Sequence, residues 1–250
     1  MGTFITLTRR ELAGHFLSFR GYVILAGVQF LLGLSLLLIV DALNNQPFDL
    51  PITEKFPSTG LFWLVLLLVT PVITMRTFAR EKSTGTFETL MTTPVSDLQV
   101  VLAKFSGAFG FYLLTFLPMA AFPFILKHYA AVFPEVDAGP VASTFLGIAL
   151  IGSFFMALGC FASSLTRSQI VAAMASFTLG TGIFMVGLLG EISPPTDTPL
   201  YATLRYISVL EHMKDFSSGI IDSRHIVFYL SLTAVFLFLT CQTIGSRRWK

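Results

Sequence analysis

The chain has 250 residues, of which 54% are hydrophobic and only 12% charged, with a mean hydropathy of +0.77 and a net charge of +2. A soluble domain carries about 25% charged residues to keep its surface solvated. A water-covered globule is therefore excluded, lipid must cover much of the surface, and the near-neutral balance makes no case for a nucleic-acid partner.

At the N-terminal end, Met1 to Arg20 lacks the uninterrupted apolar core and small-residue cleavage site of a signal peptide. Thr8-Arg9-Arg10-Glu11 has capping-box spacing, with Thr8 as N-cap and Glu11 reaching back. The helix it starts places Leu12, Phe16 and Phe19 on one face, with Arg9, Arg10 and Arg20 free to meet lipid phosphates. An amphipathic helix over residues 1–21, lying on the membrane surface, fits this pattern; a plain extension of the first span fits its length equally well.

Six apolar runs are long enough to cross a bilayer, which takes about 20 mostly apolar residues: Tyr22–Val40, Gly60–Phe78, Phe105–Leu126, Val141–Ala162, Ile170–Gly190 and Ile226–Ile244. The expected fold class is all-α, a polytopic membrane protein forming one domain over residues 1–250. An even number of spans puts both termini on one side. That side holds eleven of the basic residues: Arg9, Arg10, Arg20, Arg76, Arg80, Lys82, Lys104, Arg167, Arg247, Arg248 and Lys250. The other side holds five, Lys55, Lys127, Arg205, Lys214 and Arg224, and ten of the fourteen acids. The bias predicts that both termini are cytoplasmic.

Pro71, Pro118 and Pro123 are expected to bend spans two and three, which bilayer helices tolerate. The longest connection on the terminal side runs between those spans, over residues 79–104. Gly85 gives a turn, Thr86 and Glu88 open a short helix through Leu90 and Met91, and Pro94 ends it. Ser96 to Gln99 is a second capping box that launches the helix of span three. Phe87, Leu90 and Met91 give the short helix an apolar face. Such a face suits a protein partner, or it can tuck back against the bundle; physics alone leaves both open.

In span five, Ala172, Ser176 and Gly180 recur at small-xxx-small spacing, which admits a second helix backbone. Span five is therefore expected inside the bundle and the Phe- and Leu-rich span six against lipid. Between them, over residues 191–225, Pro194, Pro195 and Pro199 precede an apolar stripe of Leu200, Leu204, Ile207, Leu210, Met213 and Phe216. That stripe reads as one or two short helices on the outer side. Leu204, Ile207, Leu210 and Met213 could gate an outward opening, or merely cap the bundle.

Chemistry-bearing motifs are sparse. The sequence has no P-loop, no His-Glu-x-x-His and no Gly-x-Ser-x-Gly. His15, His128, His212 and His225 fall in four separate peripheral segments, so a metal cluster is not expected. Cys160 and Cys241 read as reduced packing residues. The spans carry no ionisable residue at midplane, which argues against an enzyme or an ion-driven carrier. Any energy used would come from a partner.

Two stretches carry a resemblance. Glu81-Lys82-Ser83-Thr84-Gly85-Thr86-Phe87-Glu88-Thr89-Leu90-Met91-Thr92-Thr93-Pro94-Val95-Ser96 resembles the cytoplasmic signature of ABC-2-type transporter permeases. Toward the C-terminus, Tyr206-Ile207-Ser208, His212, Gly219-Ile220-Ile221-Asp222, Phe228-Tyr229-Leu230-Ser231-Leu232 and Arg247-Arg248-Trp249 make the chain look most like the permease subunit of gliding-motility-associated ABC transporters. One departure is Ala103-Lys104, where that pattern has Gly-Lys.

The resemblance implies a bacterial inner-membrane protein that is not itself an enzyme. In that family Gly85–Met91 is the coupling helix that seats in a separate ATPase. It further implies that ATP and Mg are bound by that partner, with no cofactor in this chain. Glu81, Gly85, Thr86, Phe87, Glu88, Leu90, Met91 and Pro94 become the expected ATPase-coupling residues. Expected partners are ABC ATPase subunits, a second permease copy or homologue, and an auxiliary membrane subunit with a large extracytoplasmic domain. The expected function is the permease of an ATP-driven exporter. The alternative is a scaffold subunit of a cell-envelope machine, driven by the same ATPase and translocating nothing.

Overall fold

The computed structural model describes residues 2–45, 52–86, 95–129, 137–192 and 199–246. Among them helix is the sole regular structure, and six helical stretches are long and apolar enough to cross a membrane. In chain order the helices are α1 (Gly2–Phe16), α2 (Phe19–Asn45), α3 (Ile52–Ser58), α4 (Gly60–Thr74), α5 (Ala79–Thr84) and α6 (Asp97–Phe116). After a 3-10 segment, Leu117–Ala121, come α7 (Phe122–Tyr129), α8 (Ala138–Leu165), α9 (Gln169–Ile192), α10 (Pro199–Ile207), α11 (Val209–Ser217) and α12 (Ser223–Gly245). The spanning helices are α2, α4 continued by α5, α6 continued to Lys127, α8, α9 and α12. One end of the bundle, the terminal face, carries α1, α5, the start of α6 and the end of α12. The opposite face carries α3, α7, α10 and α11.

The bundle is organised around α8 and α4. The most apolar window of α8 is 78% buried and that of α4 67% buried, against 22%, 28% and 22% for α2, α9 and α12. Interior position follows from side-chain size. Gly152 admits the Tyr112 ring, which a Cβ there would meet at 2.1 Å, and Gly159 admits Thr74 Oγ1 at the same distance. Tyr112 donates to the Ile148 carbonyl at 3.1 Å, tying α6 to α8. Polar contacts hold α2 in place: Gln29 Nε2 donates to the Thr115 carbonyl at 2.7 Å, and Ser35 and Thr59 share a hydroxyl contact of 2.8 Å. In a hydrocarbon medium these register α2 where apolar packing alone would let it slide.

Pro118 opens the 3-10 segment that separates α6 from α7, while Pro71 sits inside α4, one turn before it ends. Ser96 forms the predicted capping box, accepting from the Gln99 amide at 3.3 Å, while Gln99 Oε1 accepts from the Ser96 amide at 3.4 Å.

Three expectations are corrected. First, α1 begins at Gly2, so Thr8 is no N-cap; mid-helix, its hydroxyl turns back to the Phe4 carbonyl at 3.0 Å. Second, the apolar face of α1, which packs along α6, does not extend to Phe19. Leu12 and Phe16 face the core, with His15 and Phe16 against the Phe111 ring at 5.0 and 5.1 Å, but Phe19 lies beyond a helix break and is 84% exposed. The close approach is possible because a Cβ at Gly107 would lie 2.7 Å from Glu11 Cβ and 3.2 Å from the α1 backbone. Third, span five is peripheral, as is span six. Ala172, Ser176 and Gly180 do lie in a buried stripe, with a Gly180 Cβ 3.2 Å from the Phe155 ring, but Ile170, Met174 and Leu189 point away and are exposed. A small-residue stripe specifies one tight contact face, not burial on all sides.

Candidate functional site

Among the described residues the buried lysines, Lys82 and Lys104, lie at the terminal face. Lys104, on the first turns of α6, has a side chain only 4% exposed. Its ammonium donates to Glu81 Oε1 of α5 at 2.6 Å and to Glu11 Oε1 of α1 at 3.1 Å. Arg10 closes the cluster, with Nη2 3.3 Å from Glu11 Oε1 and 4.0 Å from Glu81 Oε1. The Lys104 ammonium also lies 5.7 Å from the centre of the Phe78 ring. Burial alone would raise the Glu11 carboxyl's pKa, but the Lys104 ammonium, with a smaller contribution from Arg10, outweighs it and lowers the value. Burial lowers the pKa of His15, one turn along, and Lys104 adds to that while Glu11 opposes it. Both carboxylates are thus bound to one buried cation that joins three helices.

Helix α5 is held from its other side by α8. The Ser163 hydroxyl accepts from the Phe78 and Ala79 amides at 3.2 and 3.1 Å and donates to the Met75 carbonyl at 3.2 Å. It therefore acts as an N-cap supplied by a neighbouring helix, satisfying donors that Phe78, as the local cap residue, leaves open. Lys82, itself buried, donates to the Ser164 carbonyl. At the far end Gly85 takes a left-handed conformation at φ 75°, which ends α5. Thr86 follows, its hydroxyl 2.9 Å from that of Thr84.

Of the residues expected to couple to an ATPase, Glu81 is in the ion cluster, Gly85 is the helix terminator, and Thr86 is exposed directly after it. Phe87, Glu88, Leu90, Met91 and Pro94 lie outside the described residues. The stretch they occupy is flanked by two rigid anchors, α5 clamped to α8 and the capped start of α6.

Sequence reasoning missed the roles of Glu11, Lys104 and Ser163. Lys104 reads from the sequence as one charge on the terminal side and as part of the Ala103-Lys104 departure, and Glu11 as part of a cap. A lysine eight residues inside an amphipathic helix start, with few acids on the same face to pair with, was the available signal. Ser163 gave none.

On the opposite face, where one or two short helices are expected, there are two, α10 and α11. The break falls at Ser208, whose hydroxyl accepts from the Glu211 amide at 3.3 Å. Met213 is fully buried, while Leu204, Ile207 and Leu210 are half-buried. Leu204 backs onto α9, where a Gly190 Cβ would lie 3.1 Å from its carbonyl carbon. Two of the four histidines meet here, contrary to their separation in sequence. The His212 and His225 rings stand 4.0 Å apart; His212 Nδ1 lies 2.9 Å from the Tyr229 hydroxyl and His225 Nε2 3.0 Å from Asp215. Among the described residues no group of three or more His, Cys, Asp or Glu is placed to hold a metal ion.

No curated protein matches the sequence. Residues 53–210 match the family model described as ABC-2 family transporter protein. That stretch takes in spans two to five, the clamped α5, the whole connection to α6 and the first of the short opposite-face helices. Six apolar spans and this match agree: the chain belongs to the ABC-2 transporter family, as an integral membrane permease component of the kind that works with ABC ATPase subunits.

Proposed function

We propose that this chain is the permease of an ATP-driven ABC-2-type exporter, and that residues Gly85–Pro94 form the element on which a separate ATPase subunit acts. The observation that carries the reading is the double anchorage of that stretch. A docking element transmits force only if its base is stiff, and here the base is a buried cation bound to two carboxylates plus an inter-helix cap, both reaching into the helices that line the bundle centre. Phe87, Leu90 and Met91 would supply the apolar contact with the ATPase, and Glu88 a charged one. Glu81 would tie the element to α6 and α1.

In this reading the terminal face is cytoplasmic and the membrane is the bacterial inner membrane, as the Lys and Arg bias supports. ATP and Mg sit in the partner. Motion of the docking element tilts α4 and α6, and a second permease copy or homologue completes the path. The exposed apolar faces of α2, α9 and α12 are available to that copy and to lipid. The C-terminal sequence pattern supports the gliding-motility-associated branch, with its auxiliary extracytoplasmic subunit. Leu204, Ile207, Leu210 and Met213 then sit at the outer end of the path, with Met213 as the buried pivot.

The test is Leu90→Asp in reconstituted membranes with the partner ATPase. Loss of permease-dependent stimulation of ATP hydrolysis, with normal membrane insertion, is the expected result. Full stimulation by the variant would remove the assignment.

A further inference from the structure

Beside the ion cluster lies an open cleft of ≈ 870 Å³, walled by the end of α1, the start of α2, the end of α4 and α5. Five cations line it, Arg10, Arg20, Arg76, Arg80 and Lys104, against two carboxylates, Glu11 and Glu81. Lys104 and Arg10 are engaged with those carboxylates. Arg20, Arg76 and Arg80 make no ion pair among the described residues. The Arg76 Nε is buried without a hydrogen-bond acceptor among them, and Glu81 Oε2 is buried without a donor. Buried polar atoms are ordinarily satisfied, so each such orphan calls for an occupant. The cleft therefore asks for a group that offers anionic oxygens to guanidinium and a hydroxyl to a carboxylate.

Its rim says where such a group would come from. Phe19, Val23 and Val72 line the cleft and are 84%, 54% and 37% exposed, and they belong to the apolar faces of spans one and two. The cleft thus opens onto the bilayer at headgroup depth. A soluble anion would have no use for that rim; acyl chains would. We propose that this cleft binds the headgroup of an anionic phospholipid bearing a free hydroxyl, of the phosphatidylglycerol type. Its phosphate meets Arg20, Arg76 and Arg80, its hydroxyl meets Glu81, and its chains lie against Phe19, Val23 and Val72. Arginine suits the role because its planar fork matches phosphate oxygens. The lipid would wedge between the α1–α2 turn and the base of the docking element. The binding itself requires only the six spans and not the ATPase contact.

Native mass spectrometry of the full chain, stripped of lipid in detergent, tests this. It is titrated with phosphatidylglycerol, with phosphatidylcholine of the same acyl chains, and with inorganic phosphate. The expected result is a phosphatidylglycerol adduct preferred over phosphatidylcholine on the order of tenfold. The preference falls to near parity in Arg20→Gln/Arg76→Gln/Arg80→Gln and is retained in Arg224→Gln on the opposite face. The single exposed-site variant Arg80→Gln gives an intermediate preference, and the wild-type comparison stands even where the triple variant does not fold. Equal retention of the two lipids, an unchanged preference in the triple variant, or displacement of lipid by equimolar inorganic phosphate would each overturn the proposal.

Discussion

The two ends of the bundle solve the same problem, closing a helical bundle at the membrane surface, with opposite chemistry. At the terminal face, closure rests on charge: Lys104 buried between Glu11 and Glu81, Lys82 on a carbonyl, and arginines around an open cleft. At the opposite face it rests on short hydrogen bonds of small and aromatic groups. Ser143 and Thr53 both donate, at 2.6 Å each, to carbonyls at the end of α11, Ser218 donates to Glu54 at 2.8 Å, and His212 pairs with Tyr229. The buried bonds among these are neutral, cost little to bury and seal a cap, while the ion pair of that face, Arg205–Glu211, is left open to solvent. A buried ion triad is costly to desolvate and is therefore a poor way to seal, but it ties three helices in one geometry and loses much when one partner leaves. The difference suggests that the opposite face is a lid and the terminal face a joint.

The sharpest way to break that comparison is Lys104→Met. It leaves the half-buried Glu11 and Glu81 side by side with only the exposed Arg10 near them, and the expected loss is about 3 kcal/mol, the lower end of what breaking a buried pair costs. The loss is read as a fall in melting temperature in detergent and is relieved when Glu11→Gln and Glu81→Gln are added. A loss no larger than that of a surface substitution would mean the triad is not structural.

Next in size are paired glycine substitutions, one beneath each cap. Gly107→Ala pushes against the α1 backbone, and Gly147→Ala meets Phe216 at 2.9 Å. Overpacking of this kind costs roughly 1–3 kcal/mol. The prediction is that Gly107→Ala increases hydrogen exchange in α1 and Gly147→Ala in α11, each leaving the other end unchanged.

Smaller is Ser163→Ala, which removes the borrowed cap of α5. About 1 kcal/mol is expected, seen as faster exchange of the α5 amides with the rest of the bundle intact.

Acidification acts at both ends through histidines, on His15 at the terminal face, whose pKa burial lowers, and more strongly on His212 at the opposite face. Burial and the facing His225, opposed by Asp215 and Glu211, press His212 down to about 4 from an ordinary 6.5. The unfolded chain therefore binds the extra proton first, and stability contributed by the opposite face is lost as pH falls from about 6.5 toward 4. Glu11 has a lowered value, so its contribution at the terminal face is present above 4.5 and is lost only below it. Melting temperature at pH 5 should thus fall modestly relative to pH 7.5 in the wild type and less in His212→Gln, while Glu11→Gln leaves that interval unaffected. The reverse pattern would exchange the roles of the two ends.

Much of this was legible in the residues, for identifiable reasons. Spans are long runs of one property, so all six were found, with the largest displacements where α5 carries span two on to Thr84 and the polar first turns of α6 start span three at Asp97 instead of Phe105. Ser96–Gln99 read correctly because a cap needs only local spacing. Thr8–Glu11 has the same spacing and failed, because Glu11 has a stronger partner 93 residues away in Lys104. Ser208-x-x-Glu211 carried the same signal and marks the true break between α10 and α11, hidden inside an apolar stripe that runs through it. The histidine pair and the Ser163 cap were not legible, since each depends on which helices become neighbours. Span five was misplaced because a contact stripe says how closely a neighbour comes, not how many neighbours there are.

The central claim, that the stretch from Gly85 to Pro94 is where an ABC ATPase acts, is tested most directly by photo-crosslinking. A crosslinker is placed at position 90, the chain is purified from its native membrane in mild detergent, and the joined chains are identified by mass spectrometry. The account predicts an adduct with a P-loop ATPase, and none from a crosslinker at position 206 on the opposite face. Recovery of the chain with no ATPase adduct at position 90, under conditions that keep other ABC complexes whole, would contradict it.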